Sequence, residues 1–310
     1  MAKIVGPASL NVDITAYTPH LPVLGETTMG TALAISPGGK GFNQMVAAHR
    51  AGANAVMIGK KGRDALGAVL DDFCKSEGLS MAHVASGDTE TGCAVIEIDE
   101  RDAQNRIIVI SGANAKVDYD TVMAAEAEFA DADVVLTQLE TTVGAVTAAK
   151  ELAQKYGKPF ILNTAPYVDL PERVFDGVDF VTPNESEAKE FTGVAVSSIA
   201  DCKKAADRFF EMGVKNVIIT LGVRGAYFTD GKKEVVVPAI RMDAVETTGA
   251  GDAFNGGFAT AIGEGHDVET AMKFATCTSA ISVTRKGAAQ SMPSREEILA
   301  LLKEKFGITL

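Results

Sequence analysis

A chain of 310 residues, 46% hydrophobic and 23% charged, is apolar enough to bury a sizeable core in one large domain and too apolar to remain disordered. Its net charge of −12 and pI near 4.9 exclude the basic stripe that nucleic acid or an anionic membrane surface requires, but not a small anion held by a few local donors. No stretch approaches the ~18 uncharged apolar residues of a membrane span. Four cysteines (Cys74, Cys93, Cys202, Cys277) with no C-x-x-C spacing read as reduced thiols of a cytoplasmic protein, and four scattered histidines lack zinc-ligand spacing.

Residues 1–7 form a short apolar strand, not a secretory signal. Residues 12–17 and 28–36 read as extended, 41–51 and 65–77 as helical, and 92–99 with 106–111 as a hairpin joined by a polar turn at 100–105. These strands, inserted at about 12–17, 28–36 and 92–111 and interleaved with helices, predict a small accessory sheet that serves as a lid excluding water. The alternative is that they are edge strands of the main sheet. From there the pattern changes. Strands at 133–139, 158–163, 178–183 and 216–221 alternate with helices at 143–156, 185–192 and 201–212, followed by a strand at 226–229 and a helix at 252–262. This rhythm predicts an α/β fold, a doubly wound, mostly parallel sheet flanked by helices, with ligands at the carboxyl ends of the strands. With no internal repeat or low-complexity linker, residues 1–310 read as a single domain.

Chemistry concentrates at a few turns. The run Glu246-Thr247-Thr248-Gly249-Ala250-Gly251-Asp252 opens a helix. Its glycines permit a sharp turn and close ligand approach, and the free amides of a first helical turn make an anion site suited to a transferring phosphoryl group. Asp252, kept ionised by the helix N-terminus, is placed to take a proton from an attacking hydroxyl. The alternative is an acid that only caps the helix. A second glycine turn, Ser36-Pro37-Gly38-Gly39-Lys40-Gly41-Phe42-Asn43-Gln44, also opens a helix. It lacks the G-x-x-x-x-G-K-[ST] spacing of a nucleotide P-loop. Its amides are within reach of a ligand, and Asn43 has the groups to bond two sugar hydroxyls at once. Asn11 and Asp13 share one face of a strand, where an amide and a carboxylate suit vicinal hydroxyls. Asn184 and Glu187 read either as an N-cap with its capping box or as a sparse magnesium site acting through water. The turn Thr220-Leu221-Gly222-Val223-Arg224-Gly225 is open enough to lie along a nucleotide, and 283–291 is a basic turn.

Together these segments resemble the ribokinase (PfkB) sugar-kinase family, from Gly6 to about Glu297. The pair G-G-K-G-x-N-Q at 38–44 and G-A-G-D at 249–252 is highly specific in this order and spacing. Gln138-Leu139-Glu140, Thr182-Pro183-Asn184-Glu185, Ile219-Thr220-Leu221-Gly222 and Thr284-Arg285-Lys286-Gly287-Ala288 add to it. The resemblance implies an ATP-dependent carbohydrate kinase with Asp252 as base and Gly249, Ala250 and Gly251 as anion hole. It implies that Asn11, Asp13, Gly38, Gly39, Lys40, Asn43 and Glu140 bind the sugar, the Asn11, Asp13 and Glu140 set favouring ribose. Asn184, Thr220, Leu221, Gly222, Val223, Arg224, Gly225, Gly251 and Thr276 would line the ATP site, with Asn184 and Glu187 serving Mg2+ through water. Glu246, Thr248, Ser282, Arg285, Gly287 and Ser291 would hold a monovalent cation, K+ by expectation, and the lid would make a homodimer interface. Two positions depart from the family: Glu246 stands where Asp is usual, and Phe42 where a small residue is usual, which places its ring toward the sugar pocket if it leans that way. Another family substrate (fructose, ketodeoxygluconate or a nucleoside) or a non-catalytic sugar- or nucleotide-binding regulator are the alternatives. A dinucleotide-binding dehydrogenase would need G-x-G-x-x-G after the first strand, which Gly6-Pro7-Ala8-Ser9 does not supply.

Overall fold

The structure, a computed structural model, describes residues 1–101 and 104–310. Strands β1 (Lys3–Pro7), β2 (Asn11–Thr18) and β3 (Ala32–Gly38) precede helix α1 (Lys40–Arg50). Then come β4 (Asn54–Gly62), α2 (Ala65–Glu77), β5 (Val84–Gly87), β6 (Gly92–Asp99) and β7 (Asn105–Ile110). Short helices α3 (Tyr119–Met123) and α4 (Glu126–Ala130) lead to β8 (Val134–Thr137), α5 (Val143–Tyr156), β9 (Phe160–Leu162) and β10 (Phe180–Val181). The chain closes with α6 (Glu185–Thr192), α7 (Ile199–Glu211), β11 (Asn216–Thr220), β12 (Ala226–Thr229), β13 (Glu234–Val237), α8 (Ala250–Gly263), α9 (Val268–Ser282) and α10 (Arg295–Phe306).

Among the described residues, nine strands form one sheet in the order β13-β12-β11-β10-β9-β8-β1-β4-β5. All are parallel except β12 and β13, which turn back along one edge. Period-two alternation sends neighbours to opposite faces. Ile4, Val134, Leu136, Ile161 and Ile218 enter one core, under α1, α2, α8, α9 and α10. Val5, Val135, Phe160, Leu162, Val217 and Ile219 enter the other, under α5, α6 and α7. This is the doubly wound arrangement expected, and it sends the carboxyl ends of β1, β8, β9, β10 and β11 to a common edge. Among the described residues, no helix is long and apolar enough to cross a membrane.

The four remaining strands form a separate sheet, β3-β2-β6-β7, with β2 and β6 parallel and the outer pairs antiparallel. They are not edge strands of the main sheet. Residues 28–31 precede β3 and are not strand, so the segment expected at 28–36 begins later, and the turn expected at 100–105 lies partly outside the described residues. The small sheet packs on α2 through β2 and β3. Beyond α2 its faces are open: Leu33, Ile35, Ile107, Ile108 and Val109 are more than half exposed.

Helix starts separate structure from chemistry. The side chains of Asp64, Thr142, Asn184, Ser198, Asp267 and Ser294 cap α2, α5, α6, α7, α9 and α10, each worth about 1 kcal/mol. Among the described helices of eight residues or more, α1 and α8 alone begin at a glycine without a side-chain cap.

Candidate active site

The two uncapped helices differ in what takes their first amides. At α1 the protein itself takes them. Lys40 N donates to Glu140 Oε2 at 2.9 Å, Gly41 N to Ser9 Oγ at 3.0 Å and Phe42 N to Ser9 O at 2.9 Å. The amides of Lys40, Gly41 and Phe42 therefore bind the chain just past β1 and a carboxylate. Gly39 is still required, because its φ of 93° is a left-handed conformation and a Cβ there would lie 2.8 Å from Ser9 O. At α8, Gly249 (φ 76°) turns the chain, Ala250 N reaches back to Thr247 O at 3.2 Å, and Ala253 N takes Gly249 O. Among the described residues, the amides of Gly251 and Asp252 have no protein acceptor. Gly251 is exposed, and a Cβ built on it would touch nothing within 4 Å. An open, uncapped helix start with two free donors offers an anion its N–H groups and the positive end of the helix.

Asp252 lies beside it, only 6% exposed. Its Oδ2 accepts Asn43 Nδ2 at 3.0 Å and its Oδ1 accepts Gln44 Nε2 at 3.0 Å. Burial pushes its carboxyl above the usual range, while Lys40 and the amides of Asn43 and Gln44 pull the other way. The carboxyl expected to be kept ionised by the helix is thus raised by burial, and what opposes burial is Lys40 with the α1 amides. Lys40 is raised although its burial opposes this, because Asp252, Glu140 and Glu187 surround it. A lysine kept charged among three carboxylates offers a positive centre next to the uncapped helix.

The glycine turn before α1 and strand β2 complete one wall. Asn11 and Asp13 face the same side, as the strand period requires. Asn114 holds Asn11 rigidly: its Nδ2 donates to Asn11 Oδ1 at 2.7 Å and to Leu10 O at 3.1 Å, while Leu10 N donates to its Oδ1 at 2.8 Å. The Asn11 carbonyl is thus occupied and its amide NH2 is left for a ligand. Asp13 carries no protein hydrogen bond among the described residues. Burial, then the charges of Glu140, Asp252 and Glu246, raise its pKa from 3.8 to about 6. Gly38 leaves space for it, since a Cβ there would lie 2.5 Å from Asp13 Oδ2. Glu140 Oε2 also accepts Ser9 Oγ at 2.8 Å. Asn43 gives one N–H to Asp252, and its other N–H and its buried Oδ1 carry no protein partner among the described residues.

Residues 1–295 match the family described as pfkB family carbohydrate kinase. The chain belongs to this family. It is 38% identical to a ribokinase of Haemophilus influenzae over 95% of this chain and 96% of that one. It is 36% identical to a deoxyribokinase of Salmonella typhi over 92% of this chain and 94% of that one. Its fold superposes with a TM-score of 0.92 on the structure of Arabidopsis thaliana ribokinase complexed with ribose and ATP, at 31% identity over 98% and 99% of the two chains. Membership makes the protein a carbohydrate kinase, a phosphotransferase that uses ATP.

Against that family pattern, Phe42 is a correction. Its ring is fully buried in the core, with its centroid 5.7 Å from that of Phe73 on α2, and does not lean into the cleft. Glu246 reaches the 283–291 turn, where its Oε2 accepts Gly287 N at 3.0 Å. Ser282 and Ser291 hydroxyls donate to Ser279 O and Ala288 O, Thr248 is exposed, and the Arg285 guanidinium pairs with Glu297. Asn184 and Glu187 form the full capping box of α6: Glu187 N donates to Asn184 Oδ1 at 2.8 Å and Asn184 N to Glu187 Oε2 at 2.9 Å. The carboxylate nevertheless faces the cleft, where burial raises its pKa and Lys40 lowers it. Thr220 pairs with Asn184 in a parallel bridge at the end of β11. Beyond it Leu221 is buried, Val223 fully exposed, and Gly222 takes a left-handed turn. Arg224 is tied to Ser197 O and Glu185, and Gly225 lies where a Cβ would be 2.0 Å from Val237 O. Arg224 thus ties the turn to α6 and the loop before α7, and Gly225 lets the end of β13 pass close by. Thr276 is buried within α9. Four side chains around the base carry no expected role: Gln44, Asn163, Thr182 and Asn255. Gln44 and Thr182 sit inside resemblance segments, but nothing in the spacing of Asn163 marks it.

Proposed function

We propose that this kinase transfers the γ-phosphoryl group of ATP to the terminal hydroxymethyl of D-ribose, giving D-ribose 5-phosphate and ADP. The observation that carries this is the position of Asp252, buried between the Asn11–Asp13 wall and the uncapped start of α8. The sugar hydroxyl gives its proton to the Asp252 carboxylate as its oxygen bonds to the γ-phosphorus. The bond from that phosphorus to the β-bridging oxygen breaks, and the electron pair leaves with ADP. The free amides of Gly251 and Asp252, with Lys40, meet the charge on the transferring group. Relatives that carry the ribokinase name, one of them solved with ribose and ATP, support the substrates. The Thr220–Gly222 turn, with Thr276 behind it, is the side assigned to the nucleotide. The small sheet serves as the lid, with sugar entering before it closes.

Magnesium fits a site with few protein ligands, and Glu187, a cleft-facing carboxylate with Asn184 beside it, is the group to hold it through water. When bound, it neutralises phosphate charge. A monovalent cation fits the oxygen-rich pocket between Glu246 and the 283–291 turn, with Thr248, Ser282, Arg285, Gly287 and Ser291 contributing mainly carbonyls. There it would strengthen the field at the helix start.

One observation favours a second substrate: deoxyribokinases match as well as several ribokinases do. The amide–carboxylate pair Asn11–Asp13 argues for the vicinal diol that deoxyribose lacks. A site built to bond a hydroxyl rejects the analogue without it by a large factor, up to about 10⁴ in kcat/KM. ADP release should therefore be at least about tenfold faster per unit sugar with ribose than with 2-deoxyribose, and faster still with potassium present. Equal or greater kcat/KM for 2-deoxyribose would reverse the assignment.

The small sheet also supports a homodimer. Register places Ile35, Ile14, Val95 and Ile108 in one row across β3, β2, β6 and β7 on a single face, and Ile35 and Ile108 are 51% and 65% exposed. Such an apolar row marks an interface. Wild-type protein should sediment as a dimer and the double variant Ile35→Lys, Ile108→Lys as a monomer; a wild-type monomer would refute the interface.

A further inference from the structure

Asp252 and the helix start beside it are joined a second time, through side chains that touch neither sugar nor phosphate. Gln44 Nε2, on α1, donates both to Asp252 Oδ1 and to Asn163 Oδ1, each at 3.0 Å. Asn163, just past β9, donates through Nδ2 to Thr182 O at 3.0 Å and to Thr182 Oγ1 at 3.2 Å. The Thr182 hydroxyl, past the end of β10, donates to Asn255 Oδ1 at 2.7 Å. Asn255, on the second turn of α8, donates through Nδ2 to Gly251 O at 2.8 Å. Gly251 and Asp252 are consecutive, so the path closes on itself. Gln44, Asn163, Thr182 and Asn255 are each at most 5% exposed. Every amide in the path has its orientation set by its neighbours, because reversing one would place an acceptor against an acceptor.

We propose that Gln44, Asn163, Thr182 and Asn255 are positioning residues that hold the Asp252 carboxylate and the Gly251 peptide in one fixed geometry, so that base and anion site act on the same reacting group. This rests on the kinase reading above and deepens it. Two strand ends and two helices of the main fold meet in the path, which makes it a frame independent of the small sheet. Buried polar networks specify one arrangement when their members are paired; among the side-chain polar atoms of these four residues, Gln44 Oε1 is the one buried without a partner among the described residues. The asymmetry of the base follows. Each carboxylate oxygen takes one amide N–H, from Asn43 on one side and Gln44 on the other, which leaves each a lone pair for the sugar proton. Asn43 sits at the sugar side of this pair. Gln44 is the link to the frame.

Thr182 gives the cleaner test, because it does not touch Asp252 and valine preserves its shape. Thr182→Val should lower kcat about 10- to 100-fold, the scale on which small misplacements at a reacting centre act. The KM for ribose should stay within about twofold, since the sugar wall is untouched. Thr182→Ser, which restores the hydroxyl, should return kcat close to the wild type. Gln44→Leu should move the acid limb of the kcat profile to higher pH, because it removes a donor that favours the ionised base. A loss of packing alone would produce neither the rescue by serine nor the displaced limb. Wild-type kcat in Thr182→Val, or equal impairment of the valine and serine variants, overturns the proposal, as does an unmoved acid limb in Gln44→Leu. Wild-type enzyme run alongside isolates the substrate reading: no ribose turnover there refutes that reading alone, and the variants are then compared on whichever sugar is phosphorylated.

Discussion

Asp252→Asn is expected to lower kcat by about 10³-fold, within the range that general-base groups contribute, while ribose and ATP still bind. The substitution keeps the shape and can keep the bond from Asn43, so binding by calorimetry should change little. It removes the carboxylate positioned beside the free amides of α8 and opposite the Asn11–Asp13 wall. It also removes a buried charge whose pKa burial raises, so the variant should unfold at the same temperature as the wild type or higher. Near-normal turnover in this variant would show that the proton leaves by another route and that catalysis is positioning and charge alone.

The second large effect is expected at Asp13, and it has two signs. Asp13→Asn should lower kcat/KM for ribose by about 10²-fold, because hydrogen bonds to a charged group contribute about 1.5–3 kcal/mol. It should also make the ligand-free protein more stable at neutral pH. The folded carboxyl titrates near 6 against 3.8 for the free group, so the folded state binds its proton more tightly than the unfolded chain does. Relative stability from this group is complete below pH ~4 and falls as pH rises through about 6. At pH 8 the ionised side chain therefore opposes folding, on the order of 2–3 kcal/mol at most for a shift of about two pH units. Asparagine has no such proton, so the gain in melting temperature should be seen at pH 8 and vanish near pH 4. An unchanged melting temperature at pH 8 would show that the carboxyl is not under the strain that Glu140, Asp252 and Glu246 impose. The wild-type KM for ribose should correspondingly rise as pH drops through about 6, where Asp13 takes a proton and ceases to accept from the sugar.

Both predictions concern a protein that holds acidic groups together before its substrates arrive. Glu140, Glu187 and Asp252 gather around Lys40, and Glu140, Asp252 and Glu246 bear on Asp13. On the proposed reading, the ligands bring hydroxyl donors and cations that relieve this. The same logic explains why α1 and α8 lack the side-chain caps found on the other long helices. A cap on α8 would occupy the donors that the phosphoryl group needs. At α1 a carboxylate from β8's loop and a serine from β1's end take the amides instead, and thereby hold the glycine turn against the sugar wall.

Much of this was legible in the residues themselves. Period-two apolar runs flanked by helix signals implied a parallel sheet. The helices at 65–77, 143–156 and 185–192 appear with those bounds, because an Asp, Thr or Asn cap precedes each and a glycine follows. The two glycine turns, and the acid after the second, marked the proposed site without any coordinates, and Gly39 and Gly249 take the left-handed conformation there that favours glycine. Which of the two turns leaves its first amides free was not local information. Both open a helix at an uncapped glycine, and the difference arises because Ser9 and Glu140 reach the first amides of α1 while, among the described residues, no acceptor reaches those of Gly251 and Asp252. The place of Phe42 was likewise decided by α2 folding over it. So was the frame behind Asp252, built from an α1 glutamine, two strand-end residues and an α8 asparagine that no spacing rule connects. Local sequence sets where a chain turns and which faces are apolar, because those depend on neighbours a few residues away. Which polar atoms find partners depends on groups more than a hundred residues apart, and only packing of the sheet and its helices brings them together.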